Sequence, residues 1–262
     1  MFDFTYQKTI DTVENQLKLY KTDYIDLIQI HDPEFITIKD QATGKYISDP
    51  EYKILIDECL PALKELKKQG KIRYIGVNGY PFEIYEQIVN NSPVKIDTIF
   101  TYGQLTMLSA NFIEFYKELS SRNEKFKDSK IGVLNASPTA LGLLTPQGPQ
   151  PWHPAPSNIK DLVKKAIEIA EKYRINITTL ALKFDQIDMA PYKTTTLIGC
   201  CKVAEAEHNF VESNKTEFGR YIGDEKICLD EIQGLFRKSG LKLSWEGREV
   251  AQHVAAMNEV QK

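Results

Sequence analysis

The chain has 262 residues, about 1.7 times a ~150-residue domain, so one large α/β domain and two smaller domains are both open. Its 33 basic and 36 acidic side chains cancel to a formal charge of −3, which leaves no electrostatic footprint for nucleic acid or an anionic membrane. No apolar stretch approaches the ~20 residues of a membrane span, and the opening MFDFTYQKTID does not read as a signal peptide, so a cytoplasmic protein is expected.

Hydrophobic periodicity switches repeatedly between helical and extended. Ile10, Val13, Leu17 and Tyr20 recur at helical spacing, and Tyr24 to Ile30 then reads as a strand. A polar insertion from Pro33 to Pro50 follows. Leu55, Cys59, Leu63 and Leu66 mark a second helix that Gly70 caps, and Ile72 to Val77 is the next strand. Pro81 suits the first turn of a helix carrying Phe82, Tyr85, Ile88 and Val89. Ile96 to Thr101 is a strand, Phe112, Phe115, Tyr116 and Leu119 form a helix face, and Ile131 to Asn135 is a strand. From Leu141 to Ser157 proline and glycine are too dense for regular structure. Helices follow over Lys160 to Tyr173 and Thr178 to Ile187, then a strand from Thr194 to Ile198 and a helix from Val203 to Val211. From Gly223 an amphipathic tail carries Ile227, Leu229, Ile232, Leu235 and Phe236. It is expected to lie against the domain or to cover one end.

Five short apolar strands separated by helices require parallel pairing through right-handed crossovers, so the fold class is α/β. A doubly wound sheet and a (β/α)₈ barrel both use this unit. No G-x-G-x-x-G or G-x-x-x-x-G-K-[ST] is present, which removes the usual dinucleotide and triphosphate cradles. Cys59, Cys200, Cys201 and Cys228 lack C-x-x-C spacing, and neighbours such as Cys200 and Cys201 at a strand end are expected to point to opposite faces. His31, His153, His208 and His253 show no zinc-ligand spacing, so no metal is expected.

Chemistry in α/β proteins gathers at the C-terminal ends of strands. His31-Asp32, Asn78, Tyr102 and Ser137 stand at four such ends. An imidazole there can hydrogen-bond a substrate oxygen or move a proton near neutral pH, or simply be satisfied by local backbone. The joint LIGCCKVAEAEHN offers Gly199 for close backbone approach and a helix N-terminus for an anion, with Lys202 assisting and Glu205 opposing.

The segments DTVENQLKLYKTDYIDLIQIHD, LPALKELKKQGKIRYIGVNG, ASPTALGLLTPQGPQPWHPA and LIGCCKVAEAEHN resemble the aldo-keto reductases, in order from about residue 4 to 245, the third most like the L-galactose dehydrogenase branch. The resemblance implies a (β/α)₈ TIM-barrel type of which about five of eight βα units are present, a partial barrel over residues 1–222 and a helical extension over 223–262. It implies hydride transfer between a nicotinamide dinucleotide and a sugar or small carbonyl or alcohol substrate. Of the family's catalytic tetrad only the histidine maps here, onto His31. The units carrying its tyrosine, lysine and aspartate are not in these residues, and Tyr6 and Lys8 on the first helix cannot replace them. Asn78 and Gly79 match the pair that holds the carboxamide, with asparagine in the serine slot and glycine in the asparagine slot. Ser137 adjoins Ala136, where many members stack an aromatic ring on the nicotinamide. Gly199, Cys200, Lys202 and Asn209 fall in the segment around the pyrophosphate and adenosine. Glu205 stands where NADP-preferring members often carry arginine, and its charge favours NAD over NADP.

Three functions compete on this reading. One is an oxidoreductase whose sequence begins at an internal Met1. The second is a short, non-catalytic partner or regulatory chain that self-associates through exposed sheet edges. The third is a phosphate-binding barrel of other chemistry.

Overall fold

Helix and strand alternate from Tyr6 to Ser239 in the computed structural model, which describes residues 3–36, 38–39, 46–47, 50–122, 124, 130–151 and 153–241. The chain folds as two units, the first running to Phe100 and resuming over Phe115–Gly132, the second comprising Thr101–Glu114 and resuming at Val133. The first unit begins with α1 (Tyr6–Tyr20) and β1 (Ile25–His31), followed by a ribbon of β2 (Ile38–Lys39) and β3 (Tyr46–Ile47). Next come α2 (Pro50–Ile54), a π-helical turn Leu55–Cys59, α3 (Leu60–Lys68), β4 (Ile72–Gly79) and α4 (Phe82–Asn91). The unit boundary falls within β5 (Thr98–Tyr102), within α5 (Asn111–Arg122) and after the first residue of the next strand, Gly132. Beyond β6 (Gly132–Ala136) the second unit holds α6 (Ser157–Lys172), α7 (Ile177–Asp188), β7 (Thr195–Leu197), α8 (Val203–Ser213) and α9 (Glu225–Ser239).

The strand order β1-β4-β5-β6-β7 follows the chain, as successive βα crossovers require. In the first unit β1 pairs with β4 in parallel, with Ile25 opposite Ile72 and His31 opposite Asn78. In the second, β6 pairs with β7 in parallel, with Asn135 opposite Thr196. The five strands expected from the sequence are all present among the described residues. Their C-terminal ends carry the polar residues singled out above.

Several helices end in left-handed caps. Gly70, at φ +76°, donates to Lys67 O while Lys71 donates to Leu66 O, a Schellman closure of α3. Lys21 and Arg174 adopt the same conformation after α1 and α6 without being glycine. The first core unites Val13 and Leu17 of α1 with Leu60, Leu63 and Leu66 of α3 and Ile75 and Val77 of β4, all buried. In the second unit α9 packs on α6 through a face of Cys228, Leu229, Ile232 and Phe236.

Several expectations shift. Pro81 is the N-cap of α4 rather than a first-turn residue, and α6 begins three residues before Lys160. Ile227 belongs to the outer face of α9 and is exposed, because the buried stripe is set one residue later, from Cys228. Cys200 and Cys201 do not alternate across a strand: β7 ends at Leu197, and both thiols lie exposed in the irregular joint before α8. Much of the insertion between Pro33 and Pro50, and the tail beyond Leu241, lie outside the described residues.

Candidate functional site

At the end of β1 the sequence changes from apolar to polar at His31, so the imidazole leaves the sheet where packing stops. Its side chain is 66% exposed, with Nδ1 3.3 Å from Asp32 Oδ2. Asp32 turns the chain with φ +51° and donates its N–H to Asn78 O at 2.8 Å, extending the β1–β4 ladder by one rung. Asn78 is buried beside His31 on β4. The structure therefore brings His31, Asp32, Asn78 and Gly79 together on one edge of the first unit.

Two residues that sequence reading missed brace that edge. Glu34, buried in the 3₁₀ turn Pro33–Ile36, accepts the Tyr80 N–H at 2.9 Å. Tyr85 of α4 is fully buried, its hydroxyl donating to Gly79 O and lying 3.0 Å from Phe100 O. Burial, reinforced by the charges of Glu34 and Asp32, pushes the Tyr85 phenol well above its ordinary range, so it stays a neutral donor. Tyr85 sits on the apolar stripe of its helix, and only the need of a buried hydroxyl for a partner singles it out. Glu34 follows the strand-end turn closely enough to reach back over it.

In the second unit the joint between β7 and α8 assembles Gly199, Cys200, Lys202, Glu205 and Asn209, all exposed except the half-buried Asn209. Lys202 is the N-cap of α8 and makes no side-chain cap. Glu205 reaches back over the joint, its Oε2 accepting the Cys201 N–H at 2.8 Å, while Asn209 Nδ2 donates to Cys200 Sγ at 3.4 Å. A side chain at Gly199 would meet no atom within 4 Å, so the backbone there is open to close approach. An anion reaching this joint would find helix N–H groups and Lys202, opposed by the Glu205 carboxylate.

Ser137 lies immediately after β6 with φ +62°. Its hydroxyl accepts the Leu141 N–H at 2.6 Å, so it serves its own loop, one residue after Ala136, which lies opposite Leu197 at the end of β7. Tyr102 ends β5 as expected. A second missed group is Asn135 and Asp185, both buried, with the half-buried Thr196, linked between β6, β7 and α7. Asp185 follows Ile177 and Ala181 at four-residue steps on the inner stripe of α7, where a carboxylate is out of place, and that spacing is a legible signal. Among the described residues no cluster of three His, Cys, Asp or Glu is placed to hold a metal ion.

Residues 1–219 match the model of the Aldo/keto reductase family. L-galactose dehydrogenase of Arabidopsis thaliana is 28% identical over 235 residues, 89% of this chain and 66% of that protein. Protein tas of Escherichia coli is 37% identical over 232 residues, 85% of this chain and 66% of that protein. The chain thus spans just under two thirds of these relatives. Among solved structures, the holo form of aldo-keto reductase AKR11C1 from Bacillus halodurans superposes with a TM-score of 0.60 at 22% identity, over 88% of this chain and 68% of that one. Glycerol dehydrogenase AKR11B4 from Gluconobacter oxydans gives 0.58 at 19% identity, over 93% and 69%. These likenesses place the five strands and their helices in the TIM-barrel type of fold, and with a family model matching well over half its residues, the chain belongs to the Aldo/keto reductase family.

Proposed function

We propose that the chain orients substrate and binds dinucleotide in a nicotinamide-dependent oxidoreductase acting on a sugar or another small alcohol or carbonyl compound, in the manner of an L-galactose dehydrogenase. The observation that carries this reading is the exposed His31 imidazole at the C-terminal end of β1, held beside Asn78 by the Asp32–Asn78 bond. Asp32 favours a proton on His31 Nδ1 and leaves Nε2 to meet a substrate oxygen. Asn78 and Gly79 would hold the carboxamide, on an edge that Glu34 and Tyr85 keep in place. Gly199, Cys200, Lys202 and Asn209 would hold the phosphates and adenosine, and the open backbone at Gly199 fits such a group. Ser137 would contribute to the nicotinamide end. When bound, the dinucleotide supplies the hydride acceptor or donor. The Glu205 carboxylate repels a 2′-phosphate, so NAD is the proposed cofactor ahead of NADP. Four free cysteines support a reducing, cytoplasmic setting, and no helix among the described residues is long and apolar enough to cross a membrane.

Titration calorimetry with NAD and NADP, coupled to absorbance of NADH with L-galactose, tests the reading. Tighter binding of NAD and a narrower preference in Glu205→Gln are expected. Failure of both dinucleotides to bind would overturn it.

One observation favours a second reading, a partner or regulatory chain that self-associates. Helix α8 has no buried residue, with Val203 75% and Phe210 70% exposed, and Leu197 of the edge strand β7 is exposed beside them in sequence. Sedimentation equilibrium would then show a dimer that Phe210→Glu dissociates, and a concentration-independent monomer would exclude it.

A further inference from the structure

The segment leaving β6 is held in an improbable conformation. Ser137, Ala140 and Leu141 have φ of +62°, +52° and +59°, followed by Gly142 at +83°. L-residues avoid this region, and a cluster of them persists only where surrounding bonds over-determine it. Here Ala140 N donates to Ser137 O at 2.8 Å, and Leu144 N donates to Thr139 O at 3.0 Å. The Thr178 hydroxyl of α7 ties Leu144 O at 3.0 Å. The long-range tie within the loop is His153, which is 3% exposed. Its Nε2 lies 3.1 Å from Ala140 O, and Ala155 N donates to Nδ1 at 3.0 Å.

The two partners assign the ring's protonation. A carbonyl only accepts, so Nε2 carries the proton; an amide only donates, so Nδ1 is bare. We propose that His153 is a protonation-dependent latch: the neutral ring bridges Ala140 and Ala155 to hold the loop, and a second ring proton releases it. A proton on Nδ1 would face the Ala155 N–H, donor against donor, and the buried ring cannot turn to water unless the loop opens. Lys160, in the first turn of α6, opposes the extra charge. Burial, with Lys160 adding and the Ala140 carbonyl opposing, lowers the His153 pKa, so the latch is closed at neutral pH and opens in acid. The inference rests on these bonds and not on the oxidoreductase reading.

Hydrogen exchange read by mass spectrometry on peptides covering 142–157, between pH 4.5 and 8 and corrected for intrinsic rates, tests it. An imidazole NMR titration in the same samples follows His153 itself, and α1 peptides report global unfolding. Exchange at Ala155 is expected to accelerate roughly tenfold as His153 protonates, with α1 still protected. In His153→Asn the side-chain oxygen can accept from the N–H two residues on, as in an Asx turn, and cannot titrate, so protection should be flat across pH. Exchange that does not follow the His153 titration, loss of protection in α1 together with the loop, or an unchanged pH dependence in His153→Asn would each overturn the latch.

Discussion

Asp185 on α7 accepts from the side-chain amide of Asn135 on β6, and its second oxygen accepts from the hydroxyl of Thr196, the residue opposite Asn135 on β7. Asn135 also donates to Leu105 O at 2.9 Å, so one carboxylate joins a helix to two strands in a buried setting. Desolvation raises its pKa to about 6, outweighing the Asn135 hydrogen bond. Because the folded value exceeds the unfolded one of 3.8, the native state binds the extra proton between the two. Stability from this group is full below about 3.8 and is lost as pH rises through about 6. Asp185→Asn keeps the oxygen that Asn135 needs, and the Thr196 hydroxyl can rotate to accept. The variant is expected to be more stable at pH 8 by at most about 3 kcal/mol and close to wild type at pH 4, as read by urea unfolding at the two pH values. Asp185→Leu, which removes the acceptor that Asn135 and Thr196 share, should destabilise at both.

Asp97 acts in the opposite sense. Its Oδ2 accepts Ile75 N–H at 3.0 Å and Lys67 Nζ at 2.8 Å, and its own N–H donates to Ile75 O at 2.7 Å, tying the residue just ahead of β5 to β4 and clamping α3 to it. Burial raises the pKa, but the Lys67 bond, the Ile75 amide and the charges of Lys67 and Lys95 together bring it below 3.8. The stabilisation is therefore complete above about 3.8 and disappears as pH falls through the lower folded value. Asp97→Asn is expected to cost about 1–3 kcal/mol at pH 7, and this difference should shrink in acid. A cost independent of pH would argue against the ionised clamp.

Lys183 and Glu225 form a buried pair, with Nζ 2.8 and 2.7 Å from the two carboxylate oxygens, and link α7 to the first turn of α9. Glu225 Oε2 also accepts the Ile222 N–H, so it caps the turn that starts α9. Removing one partner strands the other charge. Lys183→Met alone should cost about 3 kcal/mol, and Lys183→Met with Glu225→Gln markedly less, in a double-mutant cycle read by thermal unfolding.

Periodicity made the five strands and most helix ends legible, because burial on one face leaves a repeating apolar stripe and glycine marks α3's end at Gly70. Strand-end position pointed to His31 and Asn78, since loops begin where apolar residues stop. The bracing groups were hidden for a different reason. Tyr85 and Asp185 lie on inner helix stripes, where sequence shows only that they face inward. Their partners, Gly79 O and Asn135, come from other strands and are defined only by the fold. His153 was visible as one of four histidines, yet its role depends on a loop whose path has no period to read.

The edge beside His31 offers a direct test of how its geometry is held. A Cβ at Gly79 would stand 2.8 Å from Glu34 Oε2 and 3.4 Å from Ile84 Cγ2. Glu34 would have to move, and it is buried while accepting the Tyr80 N–H, so the shift leaves that amide without its acceptor. Gly79→Ala is therefore expected to cost about 1–3 kcal/mol through the displaced carboxylate and the lost bond. If Glu34 is the obstacle, truncating it removes most of the penalty: Gly79→Ala should cost far less in a Glu34→Ala background than in the wild type, although Glu34→Ala is itself destabilising. Equal costs in the two backgrounds would show that the obstacle to a side chain there is Ile84 and not Glu34. Dinucleotide binding by the same four proteins then separates fold from function, because displacement of Asn78 and Gly79 should weaken binding in Gly79→Ala beyond what its loss of stability accounts for.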